Sequence, residues 1–181
     1  MGLRDRRQDR REERQTFGER GDAVRYQMRE RMLSIGDDFW IEDNHGNRAF
    51  KVDGKALRAR RTLHFEDSRG NRLASIQERV ARVRDTMEIE GPDGSTIATV
   101  KKAMVTPIRE RYSVSVPSGD DLNVRGNIVD HEYEISADGK KVAEVSKKWF
   151  RVRDTYGVEV APSNDEILIL AITVAIDSIS H

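Results

Sequence analysis

The chain has no cysteine, which excludes disulfide scaffolds, thiolate metal sites and cysteine nucleophiles and fits a reducing compartment. It also has no net charge. Its 32 Lys and Arg balance 32 Asp and Glu, so the basic excess of a dedicated nucleic-acid binder is missing and no specific nucleic-acid partner is expected. The opening Met1-Gly2-Leu3-Arg4-Asp5-Arg6 lacks the apolar core of a signal peptide, and Arg6 stands where a myristoylation motif needs Ser or Thr. Cytoplasmic residence is therefore the expectation. There is no G-x-S-x-G, no phosphate-cradling loop ending in Lys-Ser or Lys-Thr and no G-x-G-x-x-G. The histidines fall at 45, 64, 131 and 181, without an H-E-x-x-H, and read as ordinary surface or strand residues. Adjacent acids such as Asp37-Asp38, Glu42-Asp43 and Asp120-Asp121 sit beside Gly or Asn, where turn formation explains them. No catalytic residue, metal or cofactor is expected, and the chain does not read as an enzyme.

What remains is a polar, mainly β chain. Of 181 residues, 36% are hydrophobic and 35% charged, which is enough apolar material for one core if it is placed efficiently. Residues 1–25 hold eight Arg and six acids with little to bury, and read as a flexible Arg-rich arm. From Tyr26 onward apolar residues alternate with polar ones in short runs between Gly, Asn, Asp and Pro. This gives about twelve strands, from 26–33 to 155–160, with 121–125 and 128–136 among them. Their connections are too short for parallel crossovers, so a wide antiparallel meander is expected, and such a sheet curls or closes.

One hairpin unit recurs. Gly46, Gly70, Gly94 and Gly139 each precede apolar residues at matching offsets, at intervals of 24, 24 and 45 residues. Val83-Arg84-Asp85-Thr86 also aligns with Val152-Arg153-Asp154-Thr155, at the offset of 69 that relates Gly70 to Gly139. Internal duplication follows, and the repeated Asp-Thr reads as a structural entry into the next strand. The segment Ile167–Ile176 is apolar in nine of ten positions. With Pro162 and the capping-box form Ser163-Asn164-Asp165-Glu166 before it, it predicts a helix over 164–179, about 24 Å long and too short to span a bilayer. A helix apolar on every face needs partners all round, and the sheet is the only material that can surround it. The expected fold is mainly β with one buried α-helix: a closed antiparallel barrel of about twelve strands over 26–181, wrapped around the C-terminal helix.

This arrangement resembles the LURP-one-related family, whose tubby-like barrel is shared with phospholipid scramblases. The resemblance rests on Met28-Arg29-Glu30-Arg31, Ile35-Gly36-Asp37-Asp38-Phe39-Trp40-Ile41 with Gly46, and the repeated Gly-x-x-apolar-Ala hairpins. It rests also on Lys147-Lys148 before Asp154-Thr155-Tyr156, and on Asp165-Glu166 leading into the apolar helix. It implies the fold, together with headgroup binding, membrane tethering or regulation as the class of function. The calcium segment of scramblase-like proteins does not carry over, because Asp154, Glu159, Asp165 and Glu166 lack the spacing of a calcium loop. Basic clusters supply the remaining clue: Arg58, Arg60 and Arg61; Arg79, Arg82 and Arg84; Lys101 and Lys102; and Lys147, Lys148, Arg151 and Arg153. In the hairpin alignment Lys102 matches Lys147 and Arg79 matches Lys148, which puts cations near equivalent strand ends. Arg79, Lys101, Lys102, Lys147 and Lys148 are therefore the candidate lipid- or anion-binding residues. The expected function is a non-catalytic module for anionic phospholipid, peripheral to a membrane. The alternative is a scaffold that binds a protein partner through the arm.

Overall fold

The computed structural model describes residues 23–29, 38–53, 56–57, 60–79, 85–103, 111–149 and 154–180. Most of the Arg-rich arm, and the side chains of Arg58, Arg60, Arg61, Arg82, Arg84, Arg151 and Arg153, lie outside the described residues. The strands are β1 (Val24–Arg29), β2 (Phe39–Asp43), β3 (Arg48–Asp53), β4 (Ala56–Leu57), β5 (Arg60–Asp67), β6 (Arg72–Glu78) and β7 (Thr86–Glu90). They continue as β8 (Thr96–Ala103), β9 (Arg111–Ser115), β10 (Leu122–Asn127), β11 (Glu132–Ala137), β12 (Lys140–Ser146) and β13 (Thr155–Val160). A 3-10 turn, Lys147–Trp149, follows β12, and the helix α1 spans Glu166–Ser180.

Among the described residues every strand pairing is antiparallel. The order β3-β2-β1-β13-β12-β11-β10-β9-β8-β7-β6-β5 is closed by β3 against β5, and the two-residue β4 pairs with β5. Twelve strands thus form a closed barrel in which the first and last strands are neighbours, Val24 opposite Val160 and Arg29 opposite Thr155. Closure removes the free edges of an open sheet. Alternation sets the faces. In β9, Tyr112 and Val114 point inward and are buried, while Arg111, Ser113 and Ser115 point outward and are exposed.

The recurrent hairpin unit has a physical cause. In four hairpins the register slips by one residue at the same place: after Ile41, Phe65, Ile89 and Ile135, whose partners are Phe50, Ala74, Ala98 and Ala143. The extra residue on the second strand is Ala49, Leu73, Ile97 or Val142, apolar each time. A bulge lets two consecutive side chains turn toward the core, so the Gly-x-x-apolar-Ala pattern breaks strict alternation without exposing an apolar residue. Bulges also tighten local twist, which helps the sheet curl. The first two turns are built alike as well. Asp43 Oδ1 accepts from the backbone N–H of His45 and Asn47, at 2.8 and 2.9 Å, and Asp67 does the same for Arg69 and Asn71, both at 2.8 Å. The Asp-Thr repeat is structural too: Asp85 and Asp154 adopt left-handed φ of 62° and 61°, and Thr86 and Thr155 are buried as β7 and β13 begin.

Helix α1 runs through the barrel and packs on β6, β7, β8 and β13; Ile169 through Ser178 are all buried. Three details depart from the sequence expectation. The helix is capped by Asp165, whose Oδ1 accepts the Leu168 N–H at 3.0 Å, while Ser163 sits two residues earlier at φ 67°. Strand β1 begins at Val24, so Arg25 belongs to the barrel wall. The expected strand 128–136 is instead a tight turn at 128–131, closed by His131 N–H to Ile128 O at 3.0 Å, followed by β11.

Because the strands alternate in direction, the barrel has two distinct ends. The hairpin end carries the tight turns after β2, β5, β7, β9 and β11 and the entry to α1. The far end carries the longer connections, the 128–131 turn, the 3-10 turn and the C-terminus of α1.

Candidate functional site

All five candidate cations lie at the far end. Arg79, exposed at the end of β6, donates its backbone N–H to Thr86 O at 3.1 Å, and Thr86 in turn pairs with Lys101. The exposed Lys101 points outward from β8. Lys102 follows with the opposite facing: its N–H reaches Asp85 O at 3.1 Å, and its Nζ lies 6.0 Å from the Tyr112 ring centroid at the barrel mouth. These three residues span two strand spacings, about 10 Å.

Lys147 and Lys148 are separate. They follow β12, four strand steps from β8 and so about 19 Å away around the wall. Their local organiser is Glu132, whose Oε1 accepts from Ser146 Oγ at 3.0 Å and from the Lys147 N–H at 3.1 Å. Its Oε2 takes Lys148 Nζ at 3.0 Å. Lys148 is therefore partly neutralised, although its side chain is 73% exposed. The structure thus places Arg79, Lys101 and Lys102 together and Lys147 and Lys148 at a second position on the same end.

Inside the same end lies a buried polar cluster without a sequence signal. Asp177, near the C-terminus of α1, accepts from the Tyr156 hydroxyl, and its Oδ1 lies 3.4 Å from His131 Nε2. The His131 ring stacks on Tyr156 with centroids 4.2 Å apart, and His131 adopts φ 50° in its turn. Nearby, the Tyr112 hydroxyl and Ser180 Oγ are 2.9 Å apart. A carboxylate at the negative end of a helix needs donors of this kind, because the helix dipole opposes it there. His131 is thus a core residue that ties the 128–131 turn to α1, not the ordinary surface or strand histidine that the sequence suggests. Tyr133 and Tyr156 are held well above the ordinary phenol pKa, first by burial and then by the Asp177 carboxylate. Tyr26 is raised too, by burial and by its hydrogen bond to Glu166. Among the described residues no group of His, Asp and Glu is arranged to hold a metal ion.

These phenols give a pH prediction. Unfolded tyrosines ionise near pH 10 while the folded ones stay protonated, so above about pH 10 the unfolded state binds fewer protons and stability falls as pH rises. In an absorbance titration, Tyr26, Tyr133 and Tyr156 are expected to ionise only together with unfolding. Smooth ionisation of these three tyrosines near pH 10, with the fold intact, would contradict the sealed interior.

Comparison with known proteins bears on the whole barrel. A family model described as LURP-one-related matches residues 24–177, the interval from the start of β1 to Asp177. Among solved structures, the crystal structure of a protein from Arabidopsis thaliana aligns with a TM-score of 0.65 at 21% identity. The alignment covers 88% of this chain and 92% of that one, and shows a shared fold. No curated protein matches the chain. Among the described residues, no helix is long and apolar enough to cross a membrane. The match over the full barrel, the closed twelve-strand ring and the enclosed C-terminal helix agree, and the chain belongs to the LURP-one-related family.

Proposed function

We propose that this protein is a non-catalytic binding module whose far end docks on anionic phospholipid headgroups, peripheral to a membrane on its cytoplasmic side. The observation that carries the reading is the placement of Arg79, Lys101, Lys102, Lys147 and Lys148 on one end of a closed barrel. Each Lys or Arg near an anionic surface contributes about 1 kcal/mol, so a handful of cations on one end suffices for reversible attachment. Lys148 contributes less in this reading, since its ammonium is already paired with Glu132.

Co-sedimentation of the full chain with vesicles tests it. Binding is expected to phosphatidylcholine vesicles containing phosphatidylserine and not to phosphatidylcholine alone. It should be lost between about 0.1 and 1 M salt, as the Debye length shortens from about 10 to 3 Å. Replacing Arg79, Lys101 and Lys102 by Ala should weaken binding more than replacing Lys147 and Lys148. Equal partitioning onto neutral vesicles, or retention indifferent to salt, would overturn the reading. Absence of lipid binding, with a protein partner lost on deletion of residues 1–25, would select the scaffold alternative.

A further inference from the structure

The strand register assembles a cationic face that the linear sequence does not display. On the outer wall near the far end, Lys101 of β8 lies opposite Ser113 of β9, which lies opposite Asn123 of β10. In the neighbouring row Ala103 lies opposite Arg111, and Arg111 directly opposite Arg125. Lys101, Arg111, Ser113, Asn123 and Arg125 are all exposed. With strands about 4.8 Å apart and outward residues about 6.8 Å apart along each strand, five donor-bearing side chains share an area of about 10 by 7 Å.

Two guanidinium groups directly across a strand pair repel, and that arrangement costs stability. Farther along the row of Arg111 and Arg125, two acids are matched: Glu144 is paired with Lys141 at 2.7 Å and Glu159 with Arg25. Glu134, exposed on β11 opposite Arg125, is the nearest acid in the row. Among the described residues no carboxylate lies within 4.0 Å of either the Arg111 or the Arg125 guanidinium. Guanidinium forks match phosphate oxygens two at a time, and a hydroxyl, an amide and an ammonium beside them complete a donor set for a tetrahedral oxyanion.

We propose that this face, with Arg111 and Arg125 at its centre and Lys101, Ser113 and Asn123 alongside, holds the phosphate of an anionic lipid headgroup. The proposal rests on the membrane-binding reading above and gives it a location and a chemical target. It extends the contact from the mouth of the barrel onto the adjoining wall of β8, β9 and β10, and adds two arginines to the candidate set.

The test uses the full chain and vesicles of phosphatidylcholine alone, with phosphatidylserine, and with phosphatidic acid. At about fivefold per cation, Arg111→Ala with Arg125→Ala is expected to weaken binding to both anionic vesicles about 25-fold. Arg69→Ala with Arg72→Ala, exposed at the hairpin end, should change it less than twofold. Arg111→Glu separates this role from a structural one. It replaces repulsion by attraction to Arg125 and should raise the melting temperature by about 1–2 °C while vesicle binding is lost. If the native chain binds anionic vesicles and the arginine variants bind equally well, this face is refuted and the broader reading stands. Equal losses from the hairpin-end variant would also refute it, by showing diffuse attraction. Failure of the native chain on every anionic vesicle would refute both. Displacement from vesicles by about 1 mM inorganic phosphate would reassign the face to soluble phosphate and overturn the lipid assignment.

Discussion

Gly126→Ala is expected to lower the unfolding free energy by about 3 kcal/mol or more, a large share of the roughly 5–15 kcal/mol that holds a typical domain folded. Gly126 lies in β10 opposite Tyr133, with φ 148°, a region of backbone space that only glycine occupies readily. An added Cβ would come within 2.4 Å of the Glu132 carbonyl oxygen and 2.5 Å of the Tyr133 Cα. Both obstacles are main chain in the paired strand, so neither can rotate away. Relief requires β10 and β11 to separate, which would also disturb the Glu132 carboxylate that organises Ser146, Lys147 and Lys148. Gly139→Ala is the control. It has φ 77° but nothing within 4 Å of the added carbon, so it carries only the backbone penalty of about 1 kcal/mol. Urea denaturation of both variants reads the difference, and equal losses would show that the close approach of β10 to β11 is not real.

Leu170→Ala is expected to cost about 3 kcal/mol, the middle of the range for large-to-small substitutions in a sealed core. Leu170 is fully buried on α1 between Ile169 and Ala171, themselves buried, so the whole circumference of the helix is enclosed at this level. A rigid ring of paired strands cannot collapse onto the missing carbons as a loosely packed helix pair could, and the cavity would persist. Val129→Ala, at a side chain 61% exposed in the 128–131 turn, should change stability by less than about 0.5 kcal/mol. A loss of under 1 kcal/mol for Leu170→Ala in equilibrium unfolding would mean that α1 is not gripped on all sides.

The barrel was legible because its rules are local. Alternation identified the strands, Gly-centred turns identified the hairpins, and an all-apolar segment implied its own enclosure. The misreadings have equally local causes. Ile128 and Val129 are β-branched and read as strand, yet the chain reverses there because the His131 N–H reaches back to Ile128 O. Ser163 and Asp165 both offer cap chemistry, and sequence cannot tell which has the helix beginning just after it. The site was less legible, since it depends on register. Arg111 and Arg125 are fourteen residues apart, and their opposition appears only once Leu122 is known to face Val114. His131 and Asp177 are more distant still. They meet only because the helix returns down the inside of the ring, and nothing near either residue announces the other.

The pairing of β1 with β13 constrains how the molecule can be made. The seam joins the first-made and last-made strands of the barrel, and the plug that fills the bore leaves the ribosome after both. A cask cannot be hooped shut before its contents arrive, so the staves must stay ajar until the last fifteen helical residues are present. Contacts between such distant parts of the chain are slow to form, which places assembly in the millisecond-to-second regime of non-local β folds. During that interval an unjoined flank at each end of the growing sheet stays open to strangers.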